Sequence, residues 1–325
     1  MAPTETDIAG RYRLGKRLGR GGMGEVFVAH DLVEERNVAL KRMTWTGDDG
    51  NKDKLRFRRE YHVLASLRHP RIVSVYDFGT DGDRPFYTME LLDGQDLKEV
   101  GVLGVVETCK LLRDVAAALA MIHALGLVHR DLASKNVRRM ANGRAKLMDF
   151  GVLASAGATG ETAGTPPYVA PDGVRELPVD GRTDLYSLGV LAYVLLTGRS
   201  PYKARGMAEL VIAWGNGQPR PPSAYAKELP RALDELVMSL MAYEPSARPQ
   251  TAAEVIARLS GIANLADDFE LEVRRGYLAS APLVGRDQEL DAARAAIANA
   301  QRSKGSSWVV RAESGAGKSR LLKEI

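Results

Sequence analysis

His129-Arg130-Asp131-Leu132-Ala133-Ser134-Lys135-Asn136, followed thirteen residues after Asn136 by Asp149-Phe150-Gly151, decides how this chain of 325 residues is read. The first stretch fits the spacing H-R-D-L-x-x-x-N. It gathers a carboxylate at Asp131, an ammonium at Lys135 and an amide oxygen at Asn136. Asp149 adds a second carboxylate. Oxygen donors suit a hard cation such as Mg²⁺ and exclude a zinc reading. In this pattern Asp131 accepts the proton of an attacking hydroxyl, and Asn136 and Asp149 are the metal ligands. Either stretch alone is weak; both together, in order and at this spacing, leave little room for chance.

Upstream, Gly19-Arg20-Gly21-Gly22-Met23-Gly24-Glu25-Val26 fits G-x-G-x-x-G-x-V. A tight hairpin would also use glycines, so the pattern alone carries little. Here it joins two strand-like runs, whereas a dinucleotide fold would place it between strand and helix. Missing side chains let backbone N–H groups approach phosphate oxygens. Val38-Ala39-Leu40-Lys41 follows at the spacing of the next strand. Its ammonium needs an anion to hold it toward phosphates, and Glu60 is the candidate. Glu60 shares a helical face with Val63, Leu64 and Leu67. A glutamate on an apolar face is costly unless paired.

The periodicities around these motifs change along the chain. Strands are expected over 12–18, 25–30, 37–43, 72–79 and 86–91, with one helix over 55–67. Beyond residue 91 helices dominate, near 108–125, 183–197, 206–215, 231–242 and 251–260. The helix over 108–125 carries Leu111, Val115, Leu119 and Ile122 on one stripe. Two short strands, 137–140 and 145–148, are joined by a turn at Asn142 and Gly143. A small β-rich lobe followed by a larger helical lobe is an α+β arrangement with a cleft between them.

Composition narrows the class further. With 45 basic and 41 acidic residues, the net charge of +4 is no nucleic-acid signature, because the two signs are interspersed. The basic stretch from Lys52 to Arg59 is a solvated helix face. The single cysteine, Cys109, forms no intramolecular disulfide and lies in an apolar helical stretch, which points to a cytoplasmic protein with a buried thiol. The start, MAPTETDIAG, lacks a signal-peptide pattern. The apolar stretches at 115–128 and 185–197 are too short or interrupted to cross a bilayer, so no membrane segment is expected.

Taken together, residues 12–260 resemble the eukaryotic-type protein kinase family, its bacterial members most of all. The resemblance implies the two-lobed protein kinase fold, with an N-lobe over 12–91 and a C-lobe over 92–260. It implies ATP and Mg²⁺ as cofactors and a protein substrate as partner. It places nucleotide contacts at Leu18, Gly19, Gly21, Gly24, Val26, Ala39 and Lys41. Met89 resembles the gatekeeper, Glu90 to Leu92 the adenine-binding hinge, and Asp96 a ribose-binding acid. Asp131, Lys135, Lys41 and Glu60 would be the catalytic group. Gly164-Thr165-Pro166-Pro167-Tyr168-Val169-Ala170-Pro171 resembles the GTPxYxAP segment of Ser/Thr kinases, which disfavours a small-molecule phosphotransferase. Asp184 resembles the aspartate that braces the catalytic loop, and Arg248 the arginine that pairs with the end of A-P-E.

Three positions depart from the family pattern. Ala133 stands where Ser/Thr kinases usually carry lysine, and Lys135 would deliver that charge. Asp172 replaces the glutamate of A-P-E and would pair more loosely with Arg248. Arg138 falls where an aliphatic residue usually lies under adenine; its stem would pack there with the head in solvent. Arg130, before Asp131, implies control by phosphorylation of the loop over 152–164, at Thr162 first, then Thr159, with Ser155 also available. The second reading of the same residues is a pseudokinase, a regulatory module for a fused ATPase.

Residues 1–11 read as a flexible start and 261–282 as a linker. From 283 a new unit begins: a helix, a strand over 308–310, a glycine loop and a helix start. Ala312-Glu313-Ser314-Gly315-Ala316-Gly317-Lys318-Ser319 nearly matches G-x-x-x-x-G-K-[ST], with Ala312 in place of the first glycine. With Leu283-Val284-Gly285-Arg286-Asp287 upstream, residues 283–325 resemble the truncated start of an AAA/STAND-type P-loop ATPase domain.

Overall fold

Strand pairing organises the first part of the chain. The computed structural model describes residues 7–21, 24–44, 50–159, 163–266, 287–300, 305–307 and 309. Six strands, β1 (Asp7–Ile8), β2 (Tyr12–Gly21), β3 (Gly24–Asp31), β4 (Arg36–Met43), β5 (Val75–Asp81) and β6 (Arg84–Met89), form one antiparallel sheet in the order β1-β2-β3-β4-β6-β5. Alternation sorts β4 into two faces. Val38 and Leu40 join Ile8, Tyr12, Ala29 and Phe86 in one apolar cluster, while Ala39 and Lys41 turn toward the cleft.

The flexible start expected over 1–11 is corrected from Asp7 onward. β1 pairs with β2, and Ile8 is fully buried in the apolar cluster. A single aliphatic residue among polar neighbours has no period to read, so only its three-dimensional partners reveal the strand. Residues 1–6 lie outside the described residues.

The helix expected over 55–67 begins earlier, as α1 (Gly50–Ser66). Its first turn, Gly-Asn-Lys-Asp, is polar and carries no apolar repeat. The expected inward face is present: Glu60, Leu64 and Leu67 are buried together with Phe57. The strand expected over 72–79 starts at Val75. Ile72 bridges to Leu147 instead, and Val73 N–H donates to the Leu147 carbonyl at 3.0 Å, tying the two lobes at the back of the cleft.

The helical lobe contains α2 (Leu97–Val100), α3 (Val105–Ala124), α4 (Pro171–Val174), α5 (Gly181–Thr197), α6 (Met207–Gly215), α7 (Arg231–Leu240) and α8 (Ala252–Ile262). Short strands β7 (Gln95–Asp96), β8 (Leu127–Val128), β9 (Val137–Arg139), β10 (Ala145–Leu147) and β11 (Ala154–Ser155) punctuate it. α3 and α5 are buried on nearly all sides and form the centre of the lobe. Cys109 in α3 is fully buried, and burial pushes its thiol up to about 11, so it stays a protonated core residue. α5 starts at Asp180, whose side chain accepts from Arg182 N–H, and ends on Gly198 in the left-handed conformation at φ 68°. The hairpin of β9 and β10 turns at Gly143, also left-handed at φ 78°.

One buried network lay outside the motif reading. Asp114 of α3, 1% exposed, pairs with Arg71 and Arg144 at 3.0 Å each and accepts Ala145 N–H at 2.9 Å. It fixes β10, and therefore the approach to Asp149, against the central helix.

Of the linker expected over 261–282, the described residues 261–266 belong to the helical lobe, and 267–282 lie outside the described residues. α8 runs to Ile262, and Ile262, Ala263 and Leu265 pack on the core of the helical lobe. Arg113 Nη1 donates to the Ala266 carbonyl at 3.0 Å, closing the lobe there. A second compact unit spans Leu278–Ile325, and in it a helix covers Asp287–Ala300. The expected strand at 308–310, apart from Val309, and the glycine loop at 312–319 lie outside the described residues.

Candidate active site

A cleft of about 520 Å³ opens between the sheet and the helical lobe. Leu18, Gly19, Gly21, Gly24, Val26, Ala39, Lys41, Met89, Glu90, Leu92 and Asp96 all line it, as do Asp131, Lys135, Asn136 and Asp149. Gly22 and Met23 lie outside the described residues. Glu60 sits behind Lys41 rather than in the cleft wall. Lys41 Nζ donates to Glu60 Oε1 at 2.8 Å and to Asp149 Oδ1 at 3.0 Å. Burial alone would lower the Lys41 ammonium, but Tyr87, Glu60 and Asp149 around it outweigh that and hold it well above its ordinary value. Lys41 in turn keeps the Asp149 carboxyl below the usual carboxylate range.

The glycines separate into two kinds. A Cβ on Gly24 would meet the Arg42 carbonyl oxygen at 2.4 Å, so the strand pairing itself requires glycine there. A Cβ on Gly19 or Gly21 would meet no protein atom within 4 Å. Neither has a positive φ. The fold does not demand glycine at 19 and 21; a ligand pressed against that backbone would.

Across the cleft, the loop that carries Asp131 is held from behind. Asp184, fully buried, accepts His129 N–H at 2.9 Å and Arg130 N–H at 2.8 Å, and contacts His123 Nε2 at 2.8 Å. Arg130 and Asp149 both adopt left-handed backbone, at φ 69° and 62°. Such non-glycine residues cost of order 1–3 kcal/mol each and persist only where surroundings enforce them. His129 is fully buried, its imidazole lowered by desolvation, and packs edge-on against Phe150 at 4.9 Å.

The polar ends of this loop face the cleft. Asp131 Oδ2 accepts from Asn136 Nδ2 at 2.9 Å and lies 3.6 Å from Lys135 Nζ. Asn136 Nδ2 also donates to the Asp131 carbonyl at 2.7 Å. With its nitrogen committed twice, the amide presents Oδ1 as a donor for a cation. Asp149 supplies a carboxylate. Among the described residues no group of three or more His, Cys, Asp or Glu forms a cage for a metal ion. One carboxylate and one amide fit Mg²⁺ held jointly with substrate phosphates, which is how that ion is usually bound.

The model of the protein kinase domain family matches residues 12–258. This chain belongs to that family. A probable serine/threonine-protein kinase of Streptomyces coelicolor is 36% identical over 263 residues, 76% of this chain and 39% of that protein. The serine/threonine-protein kinase PknB of Mycolicibacterium smegmatis is 34% identical over 301 residues, 88% of this chain and 46% of that protein. PksC of Streptomyces coelicolor is 37% identical over 258 residues, 74% of this chain and 46% of that protein. The chain thus spans less than half the length of these curated relatives.

In this kinase domain the two lobes are those expected from the sequence, a β-sheet N-lobe and a helical C-lobe. Two departures from the family pattern behave differently from their reading. Arg138 does not send its head into solvent. Nη1 donates to Asp96 Oδ1 at 2.9 Å and Nη2 to the Gly94 carbonyl at 2.9 Å. The cleft floor is therefore an ion pair, and Asp96 is already engaged. Asp172 is not loosely paired: Arg248 Nη2 donates to its Oδ1 at 2.7 Å and Thr183 Oγ1 to its Oδ2 at 2.5 Å, all buried. The shorter side chain is met by a guanidinium fixed from the other side.

Sequence reading missed other members of the site in this domain. Thr165 Oγ1 donates to Asp131 Oδ1 at 2.6 Å, linking the GTPPYVAP segment to the loop that carries Asp131. Tyr87 lines the cleft directly opposite Lys41 in the sheet. The signal was available: Tyr87 lies two residues before Met89, and a period of two puts both on one face. Among the described residues no helix is long and apolar enough to cross a membrane.

Proposed function

We propose that this chain is an Mg²⁺·ATP-dependent protein serine/threonine kinase, working in the cytoplasm with ATP and a protein substrate as partners and no nucleic acid. The observation that carries the reading is the convergence on one cleft of Lys41 from the sheet and of Asp131, Lys135, Asn136 and Asp149 from the helical lobe. ATP supplies the γ-phosphoryl group, and bound Mg²⁺ offsets phosphate charge. Lys41 and the backbone at Gly19 and Gly21 hold the phosphates. Glu60 holds Lys41. Asn136 and Asp149 offer oxygen atoms to the cation. Asp131 orients the substrate hydroxyl and takes its proton. Lys135 brings a positive charge to the place that buried Ala133 cannot serve. Phosphoryl transfer asks mainly for positioning and charge compensation, which this arrangement supplies.

Incubated with Mg²⁺·ATP and a generic basic protein, the chain is expected to transfer label to serine and threonine, and its Asp131→Asn form is not. Equal labelling by both forms would reject catalysis at this site and leave the pseudokinase reading. Phosphotyrosine as the main product would overturn the substrate class.

Control by activation-loop phosphorylation belongs to the same proposal. Thr159 is exposed, Ser155 is committed to strand β11, and Thr162 lies outside the described residues. Mass mapping of the active protein is expected to find phosphate on Thr162 or Thr159; full activity with both unmodified would refute it. We also read 283–325 as the opening of a P-loop ATPase domain, on the strength of the near-match at 312–319.

A further inference from the structure

Glu60 is held by more than its lysine. Tyr87 OH donates to Glu60 Oε1 at 2.9 Å, the same oxygen that accepts Lys41 Nζ at 2.8 Å and Phe150 N–H at 3.3 Å. Tyr87 and Lys41 are direct partners across β6 and β4, and Lys41 Nζ lies 5.8 Å from the Tyr87 ring centroid. The ring is 1% exposed and packs on two residues of α1, Phe57 at 5.1 Å and Tyr61 at 6.0 Å between centroids. Burial pushes the phenol well above its ordinary value; the Lys41 cation opposes that, while Glu60 and Asp149 reinforce it. The hydroxyl therefore keeps its proton and donates it to Glu60.

A purely apolar side chain would fill this position without the cost of burying a hydroxyl. That cost is met only while Glu60 stays on Lys41. If α1 rotated Glu60 away, the hydroxyl would lose its acceptor in a buried place and the ammonium would be left with Asp149 alone.

We infer that Tyr87 is a positioning residue, whose hydroxyl holds Glu60 on Lys41 and so keeps α1 in the inward position that the phosphate-holding lysine needs. The inference rests on the proposed role of Lys41. The hinge strand, through Tyr87, and α1, through Glu60, are thereby coupled at a single carboxylate oxygen.

Tyr87→Phe removes the hydroxyl and keeps the ring. It is expected to lower kcat about tenfold, the worth of one hydrogen bond to a charged group, while KM for ATP changes less than about twofold. The melting temperature should shift by no more than about 4 °C. The decisive measurement is a double-mutant cycle with Glu60→Ala. In that background Tyr87→Phe is expected to cost less than about twofold further, because its target is gone. A residue that merely packs the lobe would give the same loss in both backgrounds. Tyr87→Leu, which also removes the ring, should show the same kcat loss with a larger drop in melting temperature. Wild-type kcat in Tyr87→Phe, or an undiminished effect in the Glu60→Ala background, overturns the inference while the kinase reading stands. A wild-type chain that transfers no phosphate overturns both.

Discussion

Exchanging Asp131 for asparagine is expected to lower kcat for phosphate transfer by about 10²–10⁴-fold, the usual contribution of a positioned general base, with the fold intact. Asparagine has the same shape, so the loop keeps its backbone bonds to Asp184. One side-chain oxygen remains to accept from Thr165, which sits 2.6 Å from Asp131 Oδ1. What disappears is the proton acceptor and the negative charge beside Lys135 and Asn136. Binding of ATP relies on Lys41, the glycine backbone and the hinge, so KM for ATP should change little. Steady-state kinetics and a thermal melt together check this. A loss of activity that merely tracks a loss of folded protein would refute the assignment.

The chemical residues were legible in the sequence for a physical reason. In the proposed roles a phosphate-binding lysine, a base and two oxygen ligands each need one residue type at a set spacing, which a single sequence displays. What stayed hidden depends on distant partners. Tyr87 shares the cleft face with Met89 by the period of two, but its hold on Glu60 shows only when β4 and α1 are laid against it. The head of Arg138 reads as solvent-facing until Asp96, 42 residues earlier, is found facing its guanidinium. Ile8 and Asp114 carry no local period that announces a strand or a buried brace. The polar first turn of α1 conceals where that helix begins. These features are set by tertiary contacts, which a one-dimensional pattern does not contain.

Replacing Arg248 by alanine is expected to destabilise the helical lobe by about 3–5 kcal/mol, the range for removing one partner of a buried ion pair. The Arg248 side chain is fully buried and Asp172 is 3% exposed, so water cannot take over the freed carboxylate. Arg248 also donates to the carbonyls of Ala242 at 2.8 Å, Arg182 at 2.9 Å and Tyr243 at 3.0 Å. It thereby joins α4, the start of α5 and the turn after α7 through one planar group. Lysine cannot reproduce that fork and should rescue little. At about 2–4 °C per kcal/mol for a domain of this size, the melting temperature should fall by roughly 10 °C. In urea the midpoint should drop at unchanged m, since the surface exposed on unfolding is the same. A second variant separates the causes. Arg248→Met combined with Asp172→Leu removes both charges, and should recover the part of the loss due to an uncompensated carboxylate. The remainder would report the three backbone carbonyls that only a guanidinium at this position can satisfy together, with the Thr183 hydroxyl that loses Asp172 as its acceptor. If the double variant is no more stable than Arg248→Ala, the ion pair contributes little and the carbonyl contacts alone hold this junction.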